Sequence, residues 1–437
     1  MSIGIVTAIL FILLALLLLS GLPLAFGLGA TAVVLALWMM GPEALFLLTT
    51  TAFSSWTSYT LIALPLFVLM ANFLARSGIA DDLYEMMYHW MGSLRGGLAM
   101  GTVLICAVFA AMSGVSAAGT VTMGLVALPS MLRRNYHKDL ALGCISAGGS
   151  LGILIPPSII MIVFASLSGA SVGKLFMAGV IPGLVICALF VAYIGIRALV
   201  QPSLGPSIPE EEKIPWGQKL KLIKAIIFPV SLVLLVLGTI YAGVTTPTEA
   251  SAIGAFGALI CAAIKRRVSW EMLKTSTLEA FKLSVMVGWI VLGAKSFSHI
   301  YAAIGAGGYI LELISSLEVS RWMILLTMQL VLFLLGMFID PIGIMMITLP
   351  VFLPLSQELG FDLIWFGILF TVNMELAFIT PPFGMNLFYM QGVVPPGITM
   401  GDIYRSILPF IVLELLGLFL LVLFPQLVLW LPNAMIR

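Results

Sequence analysis

Apolar stretches long enough to cross a bilayer recur from one end of this sequence to the other, and no aqueous fold can cover them all. A hydrocarbon core of about 30 Å takes roughly 20 apolar residues per helix, and Ile3 to Ser20 alone carries no charge. Of 437 residues, 61% are hydrophobic and 9% charged, against roughly 25% charged in an ordinary soluble domain. The formal net charge of +1 gives no footprint for nucleic acid or for an acidic partner. The first apolar run follows Met1 and Ser2 without a preceding Lys or Arg, and a second run follows soon after, so no cleaved signal peptide is expected. Cys106, Cys144, Cys187 and Cys261 stand singly in apolar segments, without the spacing of a metal or redox motif, and read as small packing residues.

Runs bounded by charge, Gly or Pro predict spans near residues 3–20, 23–40, 59–75, 139–166, 175–197, 224–242, 248–264, 282–302, 361–390 and 403–431. Two further stretches, 97–132 and 321–358, are interrupted near the middle, at Ser113-Gly114-Val115-Ser116-Ala117-Ala118-Gly119-Thr120 and at Met337-Phe338-Ile339-Asp340-Pro341-Ile342-Gly343. Each is either two crossings or one re-entrant hairpin. Lys and Arg favour cytoplasmic loops. If the two interrupted stretches are hairpins entering from opposite sides, Arg133-Arg134 with Lys138, Lys219 with Lys221 and Lys224, and Lys265-Arg266-Arg267 all fall inside. So do Arg76, Arg95, Arg197 and Arg405. Both chain termini then fall on the outer, periplasmic side. Segments 80–95, 268–281 and 308–320 mix charge with apolar residues at helical spacing and are expected along the interface.

Under that topology each half has about five crossings plus one hairpin, and an odd number of crossings inverts the second half, as in many secondary transporters. The fold class expected is therefore an all-α polytopic membrane protein with an inverted repeat. Pro129, Pro156 and Pro157 recur 225 positions later as Pro354, Pro381 and Pro382, as do Met112 as Met337 and Leu151 as Leu376. The first repeat covers 1–200, with hairpin 97–132 and broken helix 139–166; the second covers 219–437, with hairpin 321–358 and broken helix 361–390. Between them, 201–218 holds four prolines and Glu210-Glu211-Glu212 and reads as a cytoplasmic linker.

A Pro-Pro pair removes backbone donors and clashes with the preceding turn, so both broken helices should expose backbone oxygens mid-membrane. Such groups are tolerated where they are buried in protein or line a cavity, and there they can ligate ions or substrate. The plainer alternative is a packing kink. Ser113, Gly114, Ser116 and Gly119 at the first tip, and Ser146, Gly148, Gly149, Ser150 and Gly152 before the first break, suit either a sodium site of hard oxygens or close helix packing. In the second half Asp340 and Gly343 mark the tip, and Asn373, Glu375, Thr380 and Asn386 flank the break.

Lys282, Lys295, His299, Asp340, Glu375 and Glu414 are ionisable groups within apolar segments, where charge usually marks a pathway or a pair. Lys282 and Glu414 lie near enough to span ends to snorkel or pair. Lys295 sits well inside its segment and is the candidate to meet a substrate carboxylate; a structural ion pair is the alternative. Thr246-Pro247-Thr248-Glu249 reads as an N-cap, a first-turn proline and a capping-box partner. No phosphate-binding loop or His-Glu-x-x-His motif is present, and three scattered histidines leave little material for an enzyme.

The chain resembles the large permease subunit of tripartite ATP-independent periplasmic (TRAP) transporters of the DctM-like, C4-dicarboxylate or sugar-acid type. The matching residues are Gly21 to Phe26, Gly152 to Ser158, Thr246 to Ser251, Asp340-Pro341 with Leu349-Pro350, and Thr380 to Asn386. The resemblance spans essentially the whole chain. It implies sodium-driven import of a small organic acid through a bacterial inner membrane, by an elevator in which hairpins and broken helices move against a scaffold. It also implies two partners, a small membrane subunit of about four helices and a soluble periplasmic substrate-binding protein. The family's sodium sites lie between tips and breaks. They correspond here to Ser113, Gly114 and Ser116 with Gly152 and Pro156, and to Asp340 and Gly343 with Thr380 and Pro381. Substrate contacts fall to Lys295, Ser158 and Asn386. Sodium is the expected coupling ion, with no organic cofactor and no transition-metal site. The rivals are a self-sufficient sodium-coupled carboxylate symporter or ion antiporter and, more remotely, an intramembrane enzyme.

Overall fold

A computed structural model describes residues 3–306, 308, 309, 312 and 319–435, and among them the regular elements are all helical. Among the described residues, seven helices are long and apolar enough to cross a membrane, and six shorter apolar helices accompany them. The expected interfacial segment 308–320 lies largely outside the described residues.

The two interrupted stretches form helical hairpins: Gly97–Ser113 with Ser116–Arg133, and Arg321–Gly336 with Pro341–Glu358. Gly114 turns the first tip in the left-handed region, at φ +63°, where a side chain costs roughly 1–2 kcal/mol. Asp340 turns the second by capping, its carboxylate accepting from Gly343 N at 3.1 Å ahead of Pro341. Each Pro-Pro pair breaks its helix as expected. Lys138–Ser150 ends in a tight turn at Leu151–Ile153 and resumes as Ile159–Ser168; Leu363–Ile379 resumes as Met385–Gln391. Both pairs carry a cis peptide bond.

Around this core stand Leu24–Leu35, Tyr59–Arg76, Pro247–Ile264 and Trp270–Ala303. Tyr59–Arg76 packs along Pro247–Ile264, and Leu24–Leu35 along Trp270–Ala303. The 225-residue offset carries each pair onto the other. Thr246 and Glu249 form the anticipated capping box.

Four features differ from the sequence reading. Residues 268–281 are not a separate interfacial segment but the start of Trp270–Ala303, whose 34 residues span about 51 Å. No Gly or Pro interrupts it before Gly288, and Ser269 caps its start. The last span stops at Leu423 because Pro425 disfavours helical geometry at Phe424; Gln426–Asn433 is a separate helix. The linker ends early, where helix Trp216–Leu222 begins. Leu45–Trp56 is a helix no span was assigned to.

Several of the basic residues gather at one end, around Ile79–Met91. Arg76 pairs with Glu279 at 2.7 Å, Lys265 with Asp82, and Arg134 with Glu212 at 2.9 Å. The Arg134 guanidinium also lies 4.7 Å from the Tyr88 ring, and Trp90 Nε1 donates to Lys219 O at 3.0 Å. The linker closes on the same end, where Gly96 N donates to Gly205 O at 2.7 Å and Ile208 N to Gly92 O at 2.8 Å.

Candidate functional site between hairpin tips and helix breaks

At the first break, residues 151 to 165 are all buried. Tip and break interlock closely enough that only glycine fits at two points. A Cβ on Gly114 would lie 2.0 Å from Pro157 O, and one on Gly152 would lie 3.0 Å from Ser116 N and Val115 C. Gly114 is thereby brought against Pro157 and Ser158, and Gly152 against Val115 and Ser116. Ser158 is buried and caps Ile159–Ser168, accepting from Met161 N at 3.4 Å while donating to Ile153 O. Gly149 lies against Thr120, whose Oγ1 would be 1.8 Å from an added Cβ, so the absence of a side chain at Gly149 lets the hairpin's second helix approach the broken helix closely.

Asn386, just beyond the second break, reaches into this first site. Its Oδ1 accepts from Ser116 Oγ at 2.8 Å and Thr120 Oγ1 at 2.7 Å, and its Nδ2 donates to Ser146 O at 2.5 Å. All four residues are buried. Asn386 thus ties the second broken helix to the first hairpin and the first broken helix. Thr120 was present in the sequence motif without a role, and 266 residues separate it from its partner. Ser146 Oγ remains buried without a hydrogen-bond partner among the described residues, so a hard oxygen stands unused beside the break.

A second cross-link joins two positions related by the 225-residue offset. Ser150 Oγ donates to Glu375 Oε1 at 3.3 Å, across a separation of 225 residues. Glu375 is fully buried, and its other oxygen lacks a partner among the described residues. Glu414 is fully buried as well, within Met400–Leu423, with neither oxygen partnered. It does not snorkel, which corrects the sequence reading: the helix starts at Met400, so the residue lies well inside.

The second tip and break are more exposed, although the helices leading to them pack closely. A Cβ on Gly336 would lie 2.5 Å from the Ala377 Cβ, and the Phe338 and Phe383 rings sit 6.4 Å apart. Thr380 Oγ1 donates to Leu376 O at 2.7 Å. Pro381 is half-buried, while Asp340, Phe338, Phe383 and Met385 are exposed; Gly343 is buried behind the cap. Asn373 donates to Gln329 O at 3.0 Å and to its Oε1 at 2.9 Å, pinning the hairpin to the broken helix.

Lys295 is half-buried on Trp270–Ala303 and makes no ion pair among the described residues. One turn on, His299 Nδ1 lies 2.7 Å from Thr51 Oγ1. The helix itself packs against Pro341–Glu358 of the second hairpin.

Known proteins resemble the chain in sequence and in fold. The profile of the family described as "Tripartite ATP-independent periplasmic transporter, DctM component" matches residues 11–427. The chain is 36% identical over 400 residues to the C4-dicarboxylate TRAP transporter large permease protein DctM of Pseudomonas aeruginosa, covering 91% of this chain and 92% of the relative. It is 32% identical over 383 residues to the ectoine TRAP transporter large permease protein TeaC of Halomonas elongata, covering 86% and 87%. In fold it is similar to the YdaH transporter of Alcanivorax borkumensis, with a TM-score of 0.64 at 18% identity over 94% of this chain and 97% of that one.

Proposed function

This chain belongs to the DctM-component family of tripartite ATP-independent periplasmic transporters, and from that premise we propose that it is the large permease of a sodium-driven organic-acid importer. It is a multi-pass membrane protein related to transporter permeases, and we read it as a transporter rather than an enzyme. The proposed location is a bacterial inner membrane, with the basic end in the cytoplasm and both termini in the periplasm. Its two partners are a small four-helix membrane subunit and a periplasmic substrate-binding protein, in keeping with "tripartite" in the family's description.

The observation that carries the proposal is the seating of each hairpin tip on a Pro-Pro break. At the first break the Ser113, Ser116 and Ser146 hydroxyls and the backbone of Gly152 to Pro156 offer a sodium ion the hard oxygens it takes. At the second, Asp340, Thr380 and the backbone near Gly343 and Pro381 offer a counterpart. The hairpins and broken helices form the moving unit of an elevator, and Tyr59–Arg76, Pro247–Ile264, Leu24–Leu35 and Trp270–Ala303 form its frame. Both halves are read as one inverted repeat, in which offset-related residues meet where Ser150 bonds Glu375.

The substrate class follows from the relatives and from Lys295. C4-dicarboxylates and ectoine, named for two relatives, share a carboxylate group, and an ammonium without a counter-ion within a spanning helix is suited to receive one. Ser158 and Asn386 act in this reading through positioning, since their polar groups are engaged within the protein. Uptake of a labelled C4-dicarboxylate and of ectoine into proteoliposomes holding the full complex is the test. Uptake that rises with an inward sodium gradient and collapses without sodium is expected. Equal uptake without sodium would overturn the coupling.

A further inference from the structure

Where Val172–Val200 ends and Met400–Leu423 begins, the structure holds a cavity of about 440 Å³ with Arg197, Arg405, His137 and Asp139 in its wall. It adjoins an open groove of about 510 Å³ lined by Leu189, Ala192, Ile196 and Leu413, and Tyr193 and Arg197 belong to both. The cavity mixes charged groups with Leu140, Leu204, Leu408 and Phe410, and the groove is largely apolar, so the continuous space has a charged head and a greasy tail.

The charges in the head are unequal in availability. Arg405 holds Asp139 in a two-point pair, Nε to Oδ2 at 2.9 Å and Nη2 to Oδ1 at 3.0 Å, and also lies 3.5 Å from Asp402. Asp402 in turn accepts from Lys138 at 2.7 Å. The acids of the cavity are therefore neutralised by Arg405 and Lys138. Arg197 is exposed and forms no ion pair among the described residues, whereas Arg405 is committed to Asp139 and Asp402; His137 is the remaining basic group in the wall. A positive charge without a counter-ion remains where the apolar groove begins.

From this arrangement we infer that the space is a binding site for one anionic phospholipid, with the phosphate on Arg197 and an acyl chain in the groove. Leu189, Ala192 and Ile196 fall on one helix face at intervals of three and four, and the rise from Ile196 to Leu189 provides about 10 Å of groove for a chain. Basic pockets between spanning helices at the membrane boundary recognise phospholipid headgroups through the same chemistry. The exposed Leu199, Val200 and Leu408 around the rim are compatible with lipid on every side. Because the groove lies between Val172–Val200, which follows the first broken helix, and Met400–Leu423, which follows the second, a lipid there bridges the two halves.

Native mass spectrometry of the purified complex tests the site, with phosphatidylglycerol, phosphatidylcholine and inorganic phosphate as probes. The wild type is expected to retain one phosphatidylglycerol on this chain in preference to phosphatidylcholine, by about fivefold. Arg197→Gln should abolish the preference, and Ala192→Trp, which fills the groove but keeps the arginine, should lower retention of both lipids. Inorganic phosphate in large excess should leave the lipid in place. An unchanged preference in Arg197→Gln, unchanged retention in Ala192→Trp, or displacement by inorganic phosphate would each overturn the inference.

Discussion

The two helix breaks share one chemistry and differ in closure. At the first, residues 151 to 165 are buried and the Gly114 tip packs directly on the Pro157 carbonyl. At the second, Phe383 is 55% exposed and Met385 41%, and the Asp340 tip is open. The cross-links are equally uneven. Asn386 binds the first site from the opposite half, whereas no residue of the first half is seen to cap Thr380 or Asp340 in return among the described residues. An internal repeat would be expected to look alike at both sites if it were static. In the proposed inverted-repeat reading, offset-related elements hold two packings within one molecule, which is what alternating exposure needs.

The largest effect expected from breaking this comparison is at the tips. Gly114→Ala forces a side chain into the left-handed region and against Pro157 O, so destabilisation of about 3 kcal/mol or more is expected from strain and overpacking combined. Ile339, its counterpart by offset, is half-buried, and Ile339→Ala should cost roughly 1 kcal/mol. Thermal unfolding of both variants in detergent, alongside uptake, measures the gap; equal shifts would remove the asymmetry.

Next is the pair of asparagines. Asn386→Ala strands Ser116, Thr120 and the Ser146 carbonyl, and should cost about 2–4 kcal/mol. Asn373→Ala loses contacts only to Gln329 and should cost about 1–2 kcal/mol. Reversal of that order would show that the second site is the tighter one.

The smallest effect sharpens function rather than fold. Asp340→Asn keeps a good cap and should change stability by less than about 1 kcal/mol. In the sodium reading it nonetheless raises the sodium concentration for half-maximal uptake several-fold. An unaltered sodium dependence would remove Asp340 from the ion site.

Much of the core was legible because proline and glycine act locally. Pro156-Pro157, Pro381-Pro382 and the tip at Gly114 state their geometry within a few residues. Leu45–Trp56 was not legible, since its threonines and serines look like loop. In the structure they turn inward to their own helix, as Thr51 Oγ1 donates to Leu47 O at 2.7 Å and Ser55 Oγ to Thr51 O at 2.7 Å. The early charges of Trp270–Ala303 suggested an interface, yet Glu279 serves a long helix by pairing with Arg76. The clasp of Asn386 on Ser116 and Thr120 had no local signal, because contacts 266 and 270 residues apart leave no periodicity to read.

The central claim is that the two breaks open in alternation. It is tested most directly by single cysteines at Ile155 and Phe383, labelled with a membrane-impermeant maleimide on each side of the membrane. The four native cysteines are buried and give little background. The account predicts that Phe383→Cys labels while Ile155→Cys is protected, and that sodium with substrate shifts labelling toward Ile155→Cys from the opposite side. Simultaneous labelling of both, or protection of Ile155→Cys under every condition, would contradict it.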